Sequence, residues 1–429
     1  MSPGTRPRQT GGPGTPSPAA EPGLTRRAVL ARGLSLSAAA GGASALIAAC
    51  GATAAATGLQ SRRQIPGPQN PKTWPIKSSN QPIASGLRAE RNASVQVFCP
   101  AHLINPQVLG DFARAFRCQV GLTSFATADA ALRMLRQRSD FDVVLGLPAN
   151  VLAALMPPEL LRPLNHSYLP NLAGVWPKLA DPYYDVHGRY TVPYTVYSTG
   201  IAWRRDQVSG NPYATANGWD FPWQAAYAGR VGILDDYREA IVLGLIYTGV
   251  TDLNTADPRL IDDATRALEK LARLTRVRAV STVSADLAAG RVWIQQARSG
   301  QAAAAVSRLP RGVPAEAVGY WFPPDGVGPV GSDLGAVPRG GQNPVLAHLF
   351  LNFLLNHDTA VINIRRTGYM QPLNWLTPDR LVRYGALPQS LISAAILPTF
   401  LDHGLKELEL LTPSDTLWLS AWHTLQRHL

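Results

Sequence analysis

Two carboxylates three residues apart stand where a predicted strand meets a predicted helix. Residues 232–245, GILDDYREAIVLGL, begin as an apolar strand and continue through Asp236 and Glu239 into an apolar helical pattern. The side chain of an aspartate at a helix N-cap accepts a hydrogen bond from a backbone N–H of the first turn. A glutamate three residues later can accept one from the backbone N–H of the N-cap residue. The same two carboxylates could instead face a cleft and hold a cation. The local sequence leaves both interpretations open.

Predicted strands and helices alternate along the first part of the chain and indicate the kind of sheet to which this pair would belong. Apolar runs typical of buried strands are separated by segments with helical periodicity, and this alternation predicts βαβ units with a parallel sheet covered on both faces. The predicted strands are residues 93–100, 118–125 and 141–148, and the predicted helices are residues 105–117 and 129–138. Residues 258–276 form a long amphipathic helix whose apolar positions share one face.

Two cysteines flank the first predicted helix at positions that argue against a disulfide. Cys99 falls at the end of the first predicted strand and Cys118 at the start of the second. Parallel strands place these two residues at opposite edges of the sheet, about 16 Å apart for five residues of strand. A disulfide needs Cα atoms within about 7 Å. We therefore predict two free thiols.

The N-terminal segment has the features of an export signal. Residues 1–24 hold little that could be buried and predict a disordered leader. Arg26 and Arg27 then precede a short run of small and apolar residues that ends at Cys50. The paired arginines resemble a twin-arginine export signal, and Ile-Ala-Ala-Cys resembles a bacterial lipobox. The alternative is an N-terminal amphipathic or membrane-spanning helix with an incidental cysteine.

The lipobox interpretation divides the first part of the chain. Residues 1–49 are then a signal peptide with a disordered leader, and Cys50 is the lipidated first residue of the mature protein. Residues 50–89, rich in Gly, Pro, Ser and Gln, are predicted to be a flexible tether. The protein would work outside the cytoplasmic membrane, in the periplasm or on the outer face of the cell membrane, anchored without spanning it.

Composition bounds the remaining 340 or so residues, which are enough for two lobes with sizeable cores. No second segment reaches about 18 apolar residues, so this part is expected to be soluble. The formal charge of the 429-residue chain is +11. Its basic residues are scattered over polar helix faces without interleaved aromatic residues, a distribution that favours solvated surfaces over a nucleic-acid partner.

The motifs of common enzymes are missing from the sequence. It contains no HExxH, no P-loop and no GxGxxG after a strand. The segment closest to a nucleophile elbow, residues 196–200 (VYSTG), lacks the leading glycine. Tyr183 and Tyr184 resemble the paired tyrosines of ferric-ion binders, but they stand in a polar loop. We predict that the protein is not an enzyme and that it uses no cofactor or metal.

Seven segments occur in the order found in one family of proteins. The chain from about residue 93 to 400 resembles the extracytoplasmic solute-binding proteins of ABC transporters, most closely the spermidine/putrescine-binding branch. The segments that carry this resemblance are FDVVLGLP, LLRPLNHSYLPNL, YTVPYTVYSTGIAW, VGILDDYREAI, YWFPPDGVGPVGSDLGAVP, AHLFLNFLLN and TGYMQP.

The resemblance implies an α/β protein with the two-lobed fold of periplasmic binding proteins. Each lobe has a mostly parallel sheet flanked by helices, and two crossover strands join the lobes around a ligand cleft. Lobe one is expected at residues 90–197 plus 298–341, and lobe two at residues 198–297 plus 342–429. The implied partners are a small-molecule solute, an ABC permease and the membrane through the lipid at Cys50. We expect a monomer.

The resemblance also implies a ligand site and shows where this chain departs from it. Asp236 and Glu239 match the loop that holds an amine of the ligand in polyamine binders. Arg298 stands where those proteins have a tryptophan and Gln301 where they have an aspartate, whereas Asp333 matches. An arginine facing two carboxylates would suit a zwitterion or an amine that bears an anionic group.

The predicted function is that of a receptor that captures a small, amine-bearing solute, a polyamine or a related molecule, and delivers it to the permease. Aromatic walls and carboxylates are what such a ligand requires. The alternative is a transport-inactive surface sensor or protein-binding scaffold derived from the same fold. The predicted ligand-binding residues are Asp236, Glu239, Arg298, Tyr197, Ser299, Asp333 and Tyr320.

Overall fold

The computed structural model describes residues 65–138 and 140–429, which fall within one compact unit, Arg63–Leu429. The predicted signal residues Arg26 and Arg27 and the predicted lipidation site Cys50 lie outside the described residues. Within these ranges no single helix has the length and apolar composition to cross a membrane. A pair bent by 75°, Pro344–Leu354 and His357–Thr367, passes that test by length and composition alone.

Nine strands of the described chain form one mixed sheet. Its order is β2-β1-β3-β9-β4-β7-β5-β6, and β8 pairs separately with β4. The strands are β1 Ser94–Phe98, β2 Gln119–Thr123, β3 Val143–Pro148, β4 Thr191–Arg204, β5 Val231–Leu234, β6 Arg278–Val280, β7 Ile294–Arg298, β8 Val318–Trp321 and β9 Val330–Ala336.

Helices follow most of these strands, as the alternating pattern predicts. They are α1 Pro106–Phe116, α2 Ala128–Gln137, α3 Leu152–Leu155, α4 Pro177–Ala180, α5 Tyr237–Tyr247, α6 Pro258–Thr275, α7 Val283–Ala288, α8 Ser299–Val306, α9 Pro344–Leu354, α10 His357–Thr367, α11 Pro378–Arg383, α12 Phe400–His403 and α13 Thr412–Gln426. Several begin as their sequences predict, with an Asn, Asp or Thr at the N-cap whose side chain accepts a backbone N–H, as in α1, α2, α5 and α6.

Strand β4 joins the two halves of the sheet. All fourteen of its residues are buried. Its first part is antiparallel to β9, up to the pair Ser198 and Val330, and its second part is antiparallel to β7, beginning with Thr199 and Arg298. The first half of the sheet (β2, β1, β3, β9) and the second half (β7, β5, β6) therefore meet along one continuous strand.

Each half of the sheet has its own apolar cover. In the first half, buried side chains of α1 and α9 pack on one face, and those of α2 and α3 pack on the other. In the second half, α5, α6 and α13 pack together, with Trp418 and Trp422 of α13 buried among them. This arrangement confirms the predicted α/β class with sheets flanked by helices.

The segment expected in lobe two is divided between the two halves. Helix α9 packs on α1 and β3 of the first half, whereas α13 packs on α5 and α6 of the second. The sequence of α9, PVLAHLFLNFL, is strongly apolar, but apolar composition alone does not specify which half of a sheet a helix covers.

The prediction of a flexible tether over residues 50–89 is wrong from residue 65 onward. Trp74 Nε1 donates to the carbonyl of Tyr184 at 2.8 Å. Asn80 is buried, and its side-chain amide donates to the carbonyl of Leu161 at 2.8 Å. Residues 65–89 therefore lie along the surface of the first half. Their hydrogen-bond partners are distant in sequence, and amino-acid composition does not predict such contacts.

Strands β1 and β2 have the parallel register that the cysteine argument assumes. Ser94 pairs with Gln119 and Phe98 with Thr123, so Cys99 and Cys118 lie beyond opposite ends of the paired strands. Cys99 is buried, Cys118 is partly exposed, and both are free.

We predict that Cys99 and Cys118 both react when the protein is denatured without reduction and treated with a thiol-alkylating reagent. Their separation across the sheet prevents a bond between them. Peptide mass spectrometry should find both residues alkylated to the same extent as in a reduced sample. A peptide that links Cys99 to Cys118 would contradict the parallel register.

Candidate functional site

A cleft of about 450 Å³ opens between the two halves of the sheet. Pro148 at the end of β3 and Tyr184 line it from the first half. Asp236 after β5 and Arg298 at the end of β7 line it from the second half. The cleft therefore lies at the carboxyl ends of β3 and β5, where open α/β sheets bind their ligands.

Asp236 is the N-cap of α5 and also lines the cleft. Its Oδ1 accepts the backbone N–H groups of Arg238 at 2.9 Å and Glu239 at 3.2 Å. The residue is exposed, as is its neighbour Asp235, which lines the same wall. Because the capping bonds use Oδ1, the other carboxylate oxygen remains able to accept a ligand ammonium. The capping and binding interpretations of Asp236 are thus compatible.

Glu239 turns away from the cleft into the protein. Only 2% of its side chain is exposed, and Oε1 accepts from Arg298 Nε at 2.7 Å and from the hydroxyl of Thr199 at 3.3 Å. Its Oε2 is buried and has no hydrogen-bond partner among the described residues. Glu239 is therefore the internal partner of an arginine rather than a lining residue of the cleft.

Arg298 reaches the cleft with 26% of its side chain exposed. Two neighbours hold its guanidinium: the carboxylate of Glu239 and the ring of Tyr197, whose centroid lies 4.6 Å from Cζ. Its backbone N–H donates to Gln301 Oε1 at 2.9 Å, so Gln301 helps to begin α8. The arginine that replaces the expected tryptophan is a fixed positive group at the cleft wall.

Three other predicted residues cluster behind this wall without lining the cleft. Ser299 and Tyr320 are buried on either side of Ser198, whose backbone N–H donates to Ser299 Oγ at 3.4 Å and whose carbonyl accepts the hydroxyl of Tyr320 at 2.9 Å. Asp333 is also buried, and its Oδ2 accepts the hydroxyl of Thr195 at 2.7 Å. Burial raises the pKa of Asp333, and the positive charge of Arg298 opposes this rise.

Glu407 lines the cleft, and no feature of its local sequence distinguishes it as a site residue. It lies between α12 and α13, in a segment without secondary-structure periodicity. Burial, followed by the negative charge of Glu239, raises the pKa of Glu407 to about 7, although the guanidinium of Arg238 opposes this. Only the fold brings this third carboxylate into the cleft that Asp235 and Asp236 also line.

Aromatic rings complete the wall of the cleft. Tyr183 and Tyr184 lie edge to face, with ring centroids 5.2 Å apart, and both line the cleft together with Tyr197 and Trp422. Methylene groups of an alkyl ammonium ligand pack well against such rings. Within residues 65–138 and 140–429 no group of three or more His, Cys, Asp or Glu could hold a metal ion.

The sequence profile described as bacterial extracellular solute-binding protein matches residues 111–374, more than half of the chain. The chain belongs to this family. Its members are solute-binding proteins rather than enzymes, and the resemblance identified from the seven segments is confirmed.

Comparison with known proteins agrees with the two-lobed architecture. The chain is 28% identical over 302 residues to spermidine/putrescine-binding periplasmic protein 1 of Haemophilus influenzae, covering 68% of this chain and 79% of that protein. A spermidine/putrescine ABC transporter substrate-binding protein from Streptococcus pneumoniae superimposes with a TM-score of 0.64 at 20% identity, over 78% of this chain and 99% of that one. A lipoprotein of Treponema pallidum gives 0.65 at 17% identity, over 77% and 99%. The predicted two-lobed fold is confirmed.

We predict that Glu407→Gln changes the pH dependence of stability. The pKa of Glu407 is about 7 in the folded protein against an ordinary value of 4.5, so folding takes up a proton between these values. Native Glu407 therefore makes the free energy of unfolding fall as pH rises through this window. The stability of Glu407→Gln relative to wild type should rise from about pH 4.5 to about pH 7 and then level off, measured by urea unfolding without ligand.

Glu159→Gln provides the matched control. The hydrogen bond from Lys77 lowers the pKa of Glu159, so removal of that carboxylate should give a pH dependence of the opposite sign. A stability difference between wild type and Glu407→Gln that is the same at both ends of the window would contradict a raised pKa for Glu407.

Proposed function

We propose that this protein is the substrate-binding component of an ABC importer and that it captures a small, amine-bearing solute, a polyamine or a related molecule, in the cleft. The observation that carries the proposal is the acidic wall formed by Asp235, Asp236 and Glu407, which faces the tyrosine rings of the opposite half. Carboxylates would bind the ammonium group, and the rings would cover the alkyl chain. The names of the relatives support the amine class.

We also propose the lobe boundaries expected from the sequence, with two changes. Lobe one comprises residues 90–197 plus 298–341, and lobe two comprises residues 198–297 plus 342–429, except that α9 and α10 go with lobe one and Arg298, the last residue of β7, goes with lobe two. Both helices pack against α1, which supports this reassignment. Closure of the lobes would then bring Tyr184 toward Asp236 and trap the solute.

A second candidate function is that of a transport-inactive sensor or scaffold. The ion pair between Glu239 and Arg298 favours it, because this pair neutralises a carboxylate that the resemblance assigns to the ligand. The two candidates differ in one measurement, since only a receptor gains stability from a small solute. A ligand at about 100 times its dissociation constant adds roughly 2.7 kcal/mol to the free energy of unfolding.

The location of the protein is part of the proposal. Twin-arginine export followed by lipidation of Cys50 would anchor a monomeric receptor on the outer face of the cytoplasmic membrane or in the periplasm, beside its permease. The lipoprotein name of the Treponema pallidum structure supports this arrangement. Residues 65–89, packed on the body, would leave the shorter segment after Cys50 as the link to the membrane.

We predict that Asp236→Asn binds the solute more weakly without losing stability. Asparagine caps a helix about as well as aspartate but has no charge for an ammonium group. The free energy of binding the best solute in a screen of short diamines, polyamines and amino acids should weaken by about 1.5 to 3 kcal/mol, measured by calorimetry.

Asp257→Asn is the matched control for this substitution. Asp257 caps α6 through its bond to the backbone N–H of Arg259 at 2.9 Å and does not line the cleft, so its replacement should leave affinity unchanged. If Asp236→Asn binds the solute as tightly as wild type does, Asp236 is only a helix cap. A wild-type protein that no amine in the screen stabilises would instead favour the sensor or scaffold.

We predict that export and lipidation fail separately in two variants. Replacement of Arg26 and Arg27 by Lys should leave the precursor in the cytoplasm, because twin-arginine export recognises the arginine pair. Cys50→Ala should be exported without a lipid and released from the membrane fraction. Cell fractionation and labelling with a radioactive fatty acid distinguish these results, and membrane retention of both variants would contradict the signal.

A further inference from the structure

Arg298 has donors that the protein itself leaves unused. A guanidinium carries five N–H donors, and Arg298 directs Nε to Glu239 at 2.7 Å. The buried hydroxyl of Tyr369 lies close by and accounts for at most one more. No other side-chain acceptor bonds to Arg298 in the described ranges. At least three donors therefore remain on a side chain that lines the cleft.

The carboxylates of Glu239 and Asp333 lie close to Arg298, but neither lines the cleft, so the guanidinium is the charged group that meets a ligand at this point and it disfavours a second amine. The face of Tyr197 that could attract a ligand ammonium already holds the Arg298 guanidinium, at 4.6 Å. Glu239, which could have held an ammonium, is engaged with the same guanidinium. A diamine that extended from Asp236 toward this point would meet a positive charge of its own sign. A carboxylate would meet a planar fork that fits it with two hydrogen bonds.

Asp236 of the acidic wall and the partner of this positive group both lie at the start of α5. Asp236 caps α5, and Glu239 occupies the third position after it. Because Glu239 holds Arg298, and both Asp236 and Arg298 line the cleft, one ligand in the cleft can contact both groups.

We propose that the solute is a short zwitterion, an amino acid whose ammonium and carboxylate groups stand at opposite ends of the carbon chain, and not a polyamine. Its ammonium group binds Asp235 and Asp236, and its carboxylate binds the free donors of Arg298. This inference rests on the proposed function, because it concerns the same cleft and narrows its solute class.

A matched pair of ligands tests the substrate class on the unaltered protein. 4-Aminobutyrate and putrescine have chains of equal length and one ammonium group in common, and they differ in the charge at the other end. Calorimetry on the mature protein should give a dissociation constant at least about tenfold lower for 4-aminobutyrate. Butylamine and butyrate, which each lack one charge, should bind more weakly than the zwitterion. The 5- and 6-carbon homologues then give the preferred length.

The outcomes separate this inference from the proposed function. If putrescine binds as tightly as 4-aminobutyrate, or more tightly, the inference of a zwitterionic solute is wrong, and the proposed function as an amine-binding receptor stands. If the protein binds no zwitterion, no diamine and no polyamine, both the inference and the proposed function are wrong. Tighter binding of the zwitterion supports both.

Variants at Arg298 test the assigned contact. Arg298→Gln removes the charge but leaves the buried carboxylate of Glu239 alone, so the double variant Arg298→Gln/Glu239→Gln is made as well. Each variant is checked for cooperative melting before binding is measured. The preference for 4-aminobutyrate over putrescine should disappear or reverse in the double variant. Arg298→Lys should retain part of the preference, because the charge remains without the fork.

Arg339→Gln is the matched arginine control. Arg339 pairs with Glu159 at 2.7 Å and lies outside the cleft, so its loss should leave the preference unchanged. A folded double variant that keeps the wild-type preference for the zwitterion would overturn the role of Arg298, whatever the single variant does.

Discussion

The backbone pairing of β4 is the constraint on which the two halves of the sheet depend. Because β4 is buried along its whole length, its peptide groups need partners in the sheet, and they find them in β9 first and in β7 and β8 afterwards. Tyr197 and Thr199 lie on either side of this change of partner. The cleft therefore forms where the sheet passes from one half to the other, and its wall begins at a fixed piece of backbone.

The sequence predicted the parts of the fold that repeat. Periodicity located the first three strands and the helices between them, and the order of seven short segments identified the two-lobed family. Prediction from the sequence failed where the structure depends on single long-range contacts. Residues 65–89 lack periodicity, yet Trp74 bonds a carbonyl 110 residues later in the chain. Likewise, α9 covers the first half because it packs on α1 and β3, and apolar composition does not predict those partners.

The candidate site shows the same division at the level of single residues. The place of Asp236 in the cleft wall was predictable, because it follows a strand into a helix, at the edge where open α/β sheets bind ligands. The place of Glu407 was not, because the 405–411 segment has no local pattern. The resemblance predicts a ligand role for Asp333, but this residue belongs to a strand whose side chains alternate between two faces. Its neighbour Ser332 lines the cleft, and Asp333 points to the buried side toward Thr195.

The ion pair of Glu239 and Arg298 is better explained by orientation than by stability. Removing both groups from water costs much of what their attraction returns, so a pair of this kind contributes little net stability to a fold. What it does is hold a guanidinium from two sides, with Glu239 on Nε and Tyr197 beneath the plane. The remaining donors then meet the solute in one orientation. Asp236 is fixed in the same way by the helix it caps, and α5 carries both Asp236 and Glu239. The start of one helix thus positions both the negative group and the partner of the positive group of the cleft.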